Sequence, residues 1–356
     1  MGFALSTEPD ILFERRGPAG LVTLNRPKAL NAVTHGMLRA LRAKLDEWAR
    51  DDVVTRVVVR ATGERAFCAG GDLRALYEQG RAGRQDEALV FFREEYALNA
   101  AIKRYPKPYV ALIDGIVMGG GVGISAHGSH RVAGDRYQFA MPEVGIGFFP
   151  DVGATFMLPR LPGEIGTFCA LTGERLKAAD GVATGAATHR VRSDRFSDLL
   201  AALCGSEPVD GILASFAEFE GDSAVTTRRR TIDRLFAGGR VEDIVERLDR
   251  EAGSGSAEAE WAAGVAATIR GKSPLSCKIT LEQMRRGKQM SFEACMQTEF
   301  RIVSRVLYGH DLYEGVRAVI IDKDNVPQWR PRALAEVTDA DVARHFAALP
   351  SELVLA

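Results

Sequence analysis

The chain has 356 residues, a charged fraction of 26% and a formal net charge of −1. That balance gives no reason to expect a nucleic-acid or acidic-membrane partner, and the length allows one large domain, or a domain with a substantial extension, whose core needs no staples. The five cysteines, Cys68, Cys169, Cys204, Cys277 and Cys295, include no C-x-x-C pair, so neither a disulfide framework nor a zinc site is expected and a reducing cytoplasm fits.

Met1 to Asp10 contains acids and no apolar core region, which does not read as a signal peptide. No apolar run is long enough to span a bilayer. Ile11–Arg16 and Gly20–Asn25 read as strands joined by a Gly-Pro-Ala-Gly turn. Thr34 is placed to cap a helix running to Arg50, with Met37, Leu38, Leu41, Leu45 and Trp48 on one face. The β-branched run Arg56–Ala61 predicts a buried strand. Ala66–Asp72 reads as a glycine-rich turn, followed by helices over 73–80 and 86–104. Tyr109–Ile113 predicts another buried strand, and Met118–Ser125 a glycine-rich helix start. Short strands are expected at His130–Gly134 and Tyr137–Ala140. Strands and helices alternate to about Val191, which indicates α/β layering. Beyond Cys204 the strand signal ends. Gly253-Ser254-Gly255-Ser256 reads as a flexible joint, and Ser276–Arg286 and Phe292–Leu307 carry amphipathic helical periods.

Chemistry concentrates in three runs. In Met141–Gly153, Glu143 and Asp151 each follow a proline among glycines and bulky apolar residues. Prolines stiffen the backbone. Two carboxylates held in apolar surroundings can have pKa values pushed apart, which suits acid/base or nucleophilic work. The other two runs are Gly70-Gly71 and Gly119-Gly120-Gly121, each following a buried strand and opening a helix. Glycine lets a backbone approach a ligand with its amides free, and two such turns could aim one amide each at a single oxygen, forming an oxyanion hole. The same runs also suit a tight turn, close helix packing or a phosphate loop. Neither G-x-x-x-x-G-K-[ST] nor G-x-G-x-x-G is present at either place, which counts against the nucleotide readings.

Phe67-Cys68-Ala69-Gly70-Gly71-Asp72-Leu73, Met118-Gly119-Gly120-Gly121-Val122-Gly123 and Pro142-Glu143 together resemble the crotonase (enoyl-CoA hydratase/isomerase) superfamily. Phe91–Tyr96, Phe148–Gly153, Ala187–His189, Gly309–Asp311, Glu314–Ala318, Ile321–Asp324 and Trp329 are similar to its 3-hydroxyisobutyryl-CoA hydrolase branch. The resemblance covers nearly the whole chain. It implies an α/β fold, a crotonase-like ββα superhelix core over 1–204, with a helical C-terminal region over 205–356 covering the acyl pocket.

By the same resemblance, Gly71 and Gly120 supply oxyanion amides to a thioester carbonyl. Arg26–Leu30 and Ala69–Leu73, with Ala69, Asp72 and Leu73 among the contacts, hold coenzyme A, and Lys28 is a candidate for its phosphates. Glu143 is the principal catalytic carboxylate, Asp151 faces it, and Glu95 reaches the substrate hydroxyl; its neighbour Glu94 points elsewhere on the helix. The implied reaction is hydrolysis of 3-hydroxyisobutyryl-CoA to 3-hydroxyisobutyrate and CoA, as in valine breakdown. No metal or redox cofactor is implied, coenzyme A being part of the substrate. The partner is the acyl-CoA, with no nucleic acid or membrane, and a homo-oligomer is possible.

Hydratases of the superfamily carry a second glutamate where this chain has Gly123, and usually a glycine where it has Asp151. Adding water across a double bond calls for two acid/base groups around one water, so the moved carboxylates favour hydrolysis. Glu143 could act on water or attack to form an anhydride. His127 and His130 lack a third ligand nearby, Cys68 lacks a histidine partner in sequence, and His189 and His310 read as structural.

Overall fold

A computed structural model describes residues 8–218 and 221–355. Met1 to Thr7, most of the stretch read as lacking a signal peptide, lies outside the described residues. The chain divides into two compact units, each assembled from three stretches: residues 1–71, 101–139 and 176–221 in the first, and 72–100, 140–175 and 222–356 in the second. A single cut at 204/205 and this interleaved division describe the chain differently, because helices over 72–100 and turns over 140–175 pack with the later helices.

The first unit holds both sheets. Strands β1 (Ile11–Arg16), β2 (Ala19–Leu24), β3 (Arg56–Ala61), β5 (Tyr109–Ile113), β7 (His130–Ala133) and β10 (His189–Arg190) form one sheet in the order β1-β2-β3-β5-β7-β10. Only β1–β2 is antiparallel; each other pair runs parallel. The valines of β3 are buried because the strand has a neighbour on either side, as parallel interior strands require. Thr34 accepts from Met37 N and starts the helix His35–Arg50, whose predicted apolar stripe is buried. The core here joins Leu21, Val58, Val110 and Val132 to Leu199, Leu203 and Leu213.

The second sheet is β4 (Ala66–Cys68), β6 (Ile116–Met118), β8 (Gln138–Ala140) and β9 (Leu176–Lys177), in that order. Ala66–Cys68, read from sequence as part of a turn, is a strand paired in parallel with β6. Three residues carry no periodicity to detect; the pairing is a tertiary effect.

The second unit is helical. Leu73–Arg81 and Gln85–Lys103 come first; the 3-10 turn Glu143–Ile146 and the helix Ile165–Thr172 follow. Then come Val241–Ala252, Ala259–Arg270, Pro274–Gly287, Phe292–Val306, Asp311–Val316 and Asp339–Phe346. Ser273 and Ser291 cap the two helices predicted from amphipathic period. Gly253–Ser256 does separate two helices. After β10 no strand occurs among the described residues.

Candidate active site

In the first unit, the chain leaves β4 through Ala69-Gly70-Gly71. Gly70 O accepts from Val33 N at 2.8 Å and Ala69 N donates to Leu30 O at 3.0 Å, so this turn is tied to the Arg26–Leu30 loop. Buried Asn31 locks the same loop: its Oδ1 accepts from Arg26 N, and its Nδ2 donates to Thr62 O and Ala66 O. Leu30 and Asn31 both adopt left-handed backbone, φ 51° and 56°. Lys28 is exposed in the turn Pro27–Ala29.

The second glycine turn lies against the first. A Cβ on Gly121 would sit 2.3 Å from Cys68 O, so only glycine permits this approach. A Cβ on Gly70 would lie 4.0 Å from Gly120 N. Gly120 opens the four-residue helix Gly120–Gly123, and an opening amide has no acceptor within its helix. The structure thus brings the two predicted turns side by side. Gly123 is buried in that helix, with Ser125 Oγ bonding back to Gly121 O.

The second unit gathers the acids. Glu95, Tyr96 and Phe92 share one face of Gln85–Lys103, at helical spacing. Glu95, Glu143, Asp151 and a fourth carboxylate, Glu299, are 2%, 7%, 4% and 0% exposed, so none is solvated enough to ionise freely. Glu94 is only half-buried. Tyr96 OH donates to Asp151 Oδ2 at 2.9 Å. Phe92 stacks on Phe148, ring centroids 5.7 Å apart, and Phe148 adjoins Phe149. Asp72 caps the helix beginning at Leu73, accepting from Ala75 N.

Burial and mutual repulsion push these carboxyls toward the protonated form. Desolvation raises Asp151 to about 7, against the opposing pull of the Tyr96 bond. Desolvation, then the Asp151 charge, raises Glu143 well above the ordinary range. Glu95 rises through burial and then through Asp151 and Glu299. Glu299 reaches about 8, chiefly by burial, although two backbone amides pull it down. Such a set shares protons and titrates as a group. It can give or take a proton near neutrality.

Glu299 and Gln283 belong to this site, and sequence reasoning missed them. Glu299 accepts from Gly153 N at 2.8 Å and Thr155 N at 2.9 Å. Gln283 Nε2 donates to Pro150 O and Thr155 Oγ1. Together they grip both sides of Asp151. The loop needs gripping: Val152 is β-branched with φ 51°, a strained conformation. The only sequence signal was a polar residue on the buried stripe of each amphipathic helix.

Glu143 is fixed from behind. Ser273 N donates to Val144 O, and Ser273 Oγ donates to Asp311 Oδ2 at 2.6 Å. Arg330 N donates to Asp311 Oδ1. Gly315 packs directly on Ile146, where a Cβ would lie 2.3 Å from the carbonyl. The Lys272 ammonium lies over Gly145, and burial pushes its pKa down.

His130 bonds Ser129 and Asp210, and His310 bonds Asp311. Among the described residues no group of three His, Cys, Asp or Glu side chains is arranged to hold a metal ion. No helix among the described residues is long and apolar enough to cross a membrane.

Comparison with known proteins identifies the family of the chain. The family model described as enoyl-CoA hydratase/isomerase matches residues 19–346. The zebrafish (Danio rerio) protein named "3-hydroxyisobutyryl-CoA hydrolase, mitochondrial" is 47% identical over 350 residues, 96% of this chain and 90% of that protein. A crystal structure described as a carnitinyl-CoA dehydratase from Mycobacterium thermoresistibile superposes with a TM-score of 0.92 at 43% identity, covering 98% of this chain and 99% of that one. One described as an enoyl-CoA hydratase from Rhodobacter sphaeroides gives 0.90 at 38% identity, covering 98% and 100%. The chain belongs to the enoyl-CoA hydratase/isomerase family, with the crotonase fold.

Proposed function

We infer that this chain hydrolyses the thioester of 3-hydroxyisobutyryl-CoA, giving 3-hydroxyisobutyrate and free CoA, a step of valine breakdown. The observation that carries the reading is the buried acid pair, Glu143 with Asp151, the latter held by Tyr96, in a chain that has Gly123 where hydratases place their second glutamate. The name of the zebrafish relative supports the substrate.

In the proposed mechanism the thioester oxygen accepts from Gly71 N and Gly120 N, which stabilise its charge as the carbon becomes tetrahedral. Glu143 takes a proton from water as the water oxygen attacks, or attacks the carbon itself to give an anhydride that water then opens. Collapse breaks the C–S bond, and the departing thiolate takes a proton to become free CoA. Asp151, with a pKa near 7, orients the water or holds the shared proton. Arg26–Leu30, Lys28, Ala69, Asp72 and Leu73 are assigned to coenzyme A, and Glu95 to the acyl hydroxyl. The sequence of steps calls on no metal or redox cofactor. Scattered cysteines without a C-x-x-C pair suit a reducing compartment such as the cytoplasm; the zebrafish relative is named mitochondrial. A homo-oligomer is part of the proposal.

The descriptions of the two solved relatives favour a second reading, hydration of an enoyl-CoA. Purified protein given 3-hydroxyisobutyryl-CoA should release free thiol and should leave the double bond of crotonyl-CoA intact. Hydration without thiol release would overturn the hydrolase assignment. Glu143→Gln should lower thiol release ~10²–10⁴-fold while leaving CoA binding largely intact.

A further inference from the structure

One buried side chain on the helix Gln85–Lys103 is unused by this mechanism. Asn99 is fully buried, and among the described residues neither its Oδ1 nor its Nδ2 has a hydrogen-bond partner. A buried amide with both ends unmatched is rare in a native protein and calls for a polar occupant. Asn99 stands four residues after Glu95 and three after Tyr96, so it lies beside both on the helix face that meets Asp151. Glu95 Oε1 is likewise buried and unpartnered. The two side chains are neighbours, yet the amide does not satisfy the acid. Two such unmatched groups, one helical turn apart on one face, call for a small group able both to donate and to accept. A hydroxyl meets that requirement and a methyl does not.

Resting on the thioesterase reading above, we propose that Asn99 is a specificity-determining residue: with Glu95 it forms the polar recess that reads the acyl hydroxyl of the substrate. Asn99 Nδ2 donates to the hydroxyl oxygen, and the hydroxyl proton goes to Glu95 Oε1 or Asn99 Oδ1. The site then selects 3-hydroxyacyl thioesters over the same chains without the hydroxyl, because an analogue lacking it leaves buried polar groups unmatched.

The test compares 3-hydroxyisobutyryl-CoA with isobutyryl-CoA in the wild type and in Asn99→Leu, which keeps the side-chain volume. The kcat/KM ratio of the two thioesters should fall at least about tenfold in the variant, the larger loss falling on the hydroxylated thioester. Loss of folded protein cancels in this ratio. Asn99→Ser, which keeps a short donor and acceptor, should recover part of it. If Asn99→Leu is insoluble, Asn99→Ala is read in the same way. An unchanged ratio, or equal losses on both substrates, overturns the assignment. The ratio of dissociation constants for the two thioesters, from titration calorimetry, is read independently of turnover. A wild type that binds the hydroxyl form preferentially through Asn99 but releases no thiol would sink the hydrolase reading alone.

Discussion

Replacing Tyr96 by phenylalanine removes one hydroxyl and little else. The ring keeps its edge contacts with Phe92 and Phe300, at centroid distances of 6.0 and 6.4 Å. Lost is the 2.9 Å bond to Asp151 Oδ2. The Tyr96 phenol is itself pushed up in pKa by burial and stays a neutral donor, so the bond favours the ionised form of Asp151. A hydrogen bond to a charged acceptor contributes about 1.5–3 kcal/mol, and 1.36 kcal/mol corresponds to one pKa unit. The variant should therefore carry Asp151 about 1–2 units above its present value near 7. If ionised Asp151 is required, the acid limb of the pH–kcat profile moves up by that amount. Thiol release at pH 7 then falls about 5- to 50-fold and recovers toward the wild-type plateau in alkaline buffer. Stopped-time thiol assays from pH 5.5 to 9.5 measure this. A loss of the same factor at every pH, with the midpoint unmoved, would refute the reasoning.

Glu299→Gln should leave the Asp151 midpoint nearly unmoved, because a carboxyl with a pKa of about 8 is already largely neutral where Asp151 titrates near 7; it should cost about 1–3 kcal/mol of stability, since an amide cannot accept both loop N–H groups. Urea titration and the pH profile read the two effects separately. Gly315→Ala drives a methyl into Ile146, so about 1–3 kcal/mol should be lost together with kcat, and a variant as stable and active as the wild type would contradict the packing. Global stability should decline as pH rises from about 5 to 8. The carboxyls of Asp151 and Glu299 have folded pKa values of about 7 and 8, above those of free side chains. The folded state therefore holds protons that the unfolded chain has released, and that advantage is gone once pH passes the folded values. Calorimetry on Asp151→Asn should give a flatter dependence than the wild type.

Where local physics decides structure, the sequence was readable. Thr34 announces a helix whose buried face follows from period 3.6, and Arg56–Ala61 announces an interior strand. The glycine turns and the proline-flanked acids stood out because their chemistry is local. Glu299 did not, since its role consists of two bonds to amides more than 140 residues away, and a single acid in an amphipathic helix looks like any other. Asn99 was hidden for a related reason: its meaning lies in having no hydrogen-bond partner for its side chain among the described residues. The strand at Ala66–Cys68 escaped notice because its identity belongs to its neighbour β6.

The bond between Glu299 and Gly153 spans 146 residues, and this sets an order on biosynthesis. At about 5–20 residues per second, a ribosome that has released Asp151 continues for about 7–30 s before the carboxylate that steadies its loop emerges. The nascent chain meanwhile carries Phe148, Phe149 and the apolar face of Gln85–Lys103 without the later helices that bury them. A premature stop anywhere before Glu299 therefore yields a chain that retains Glu95, Glu143 and Asp151 in sequence but lacks the means to hold them in place.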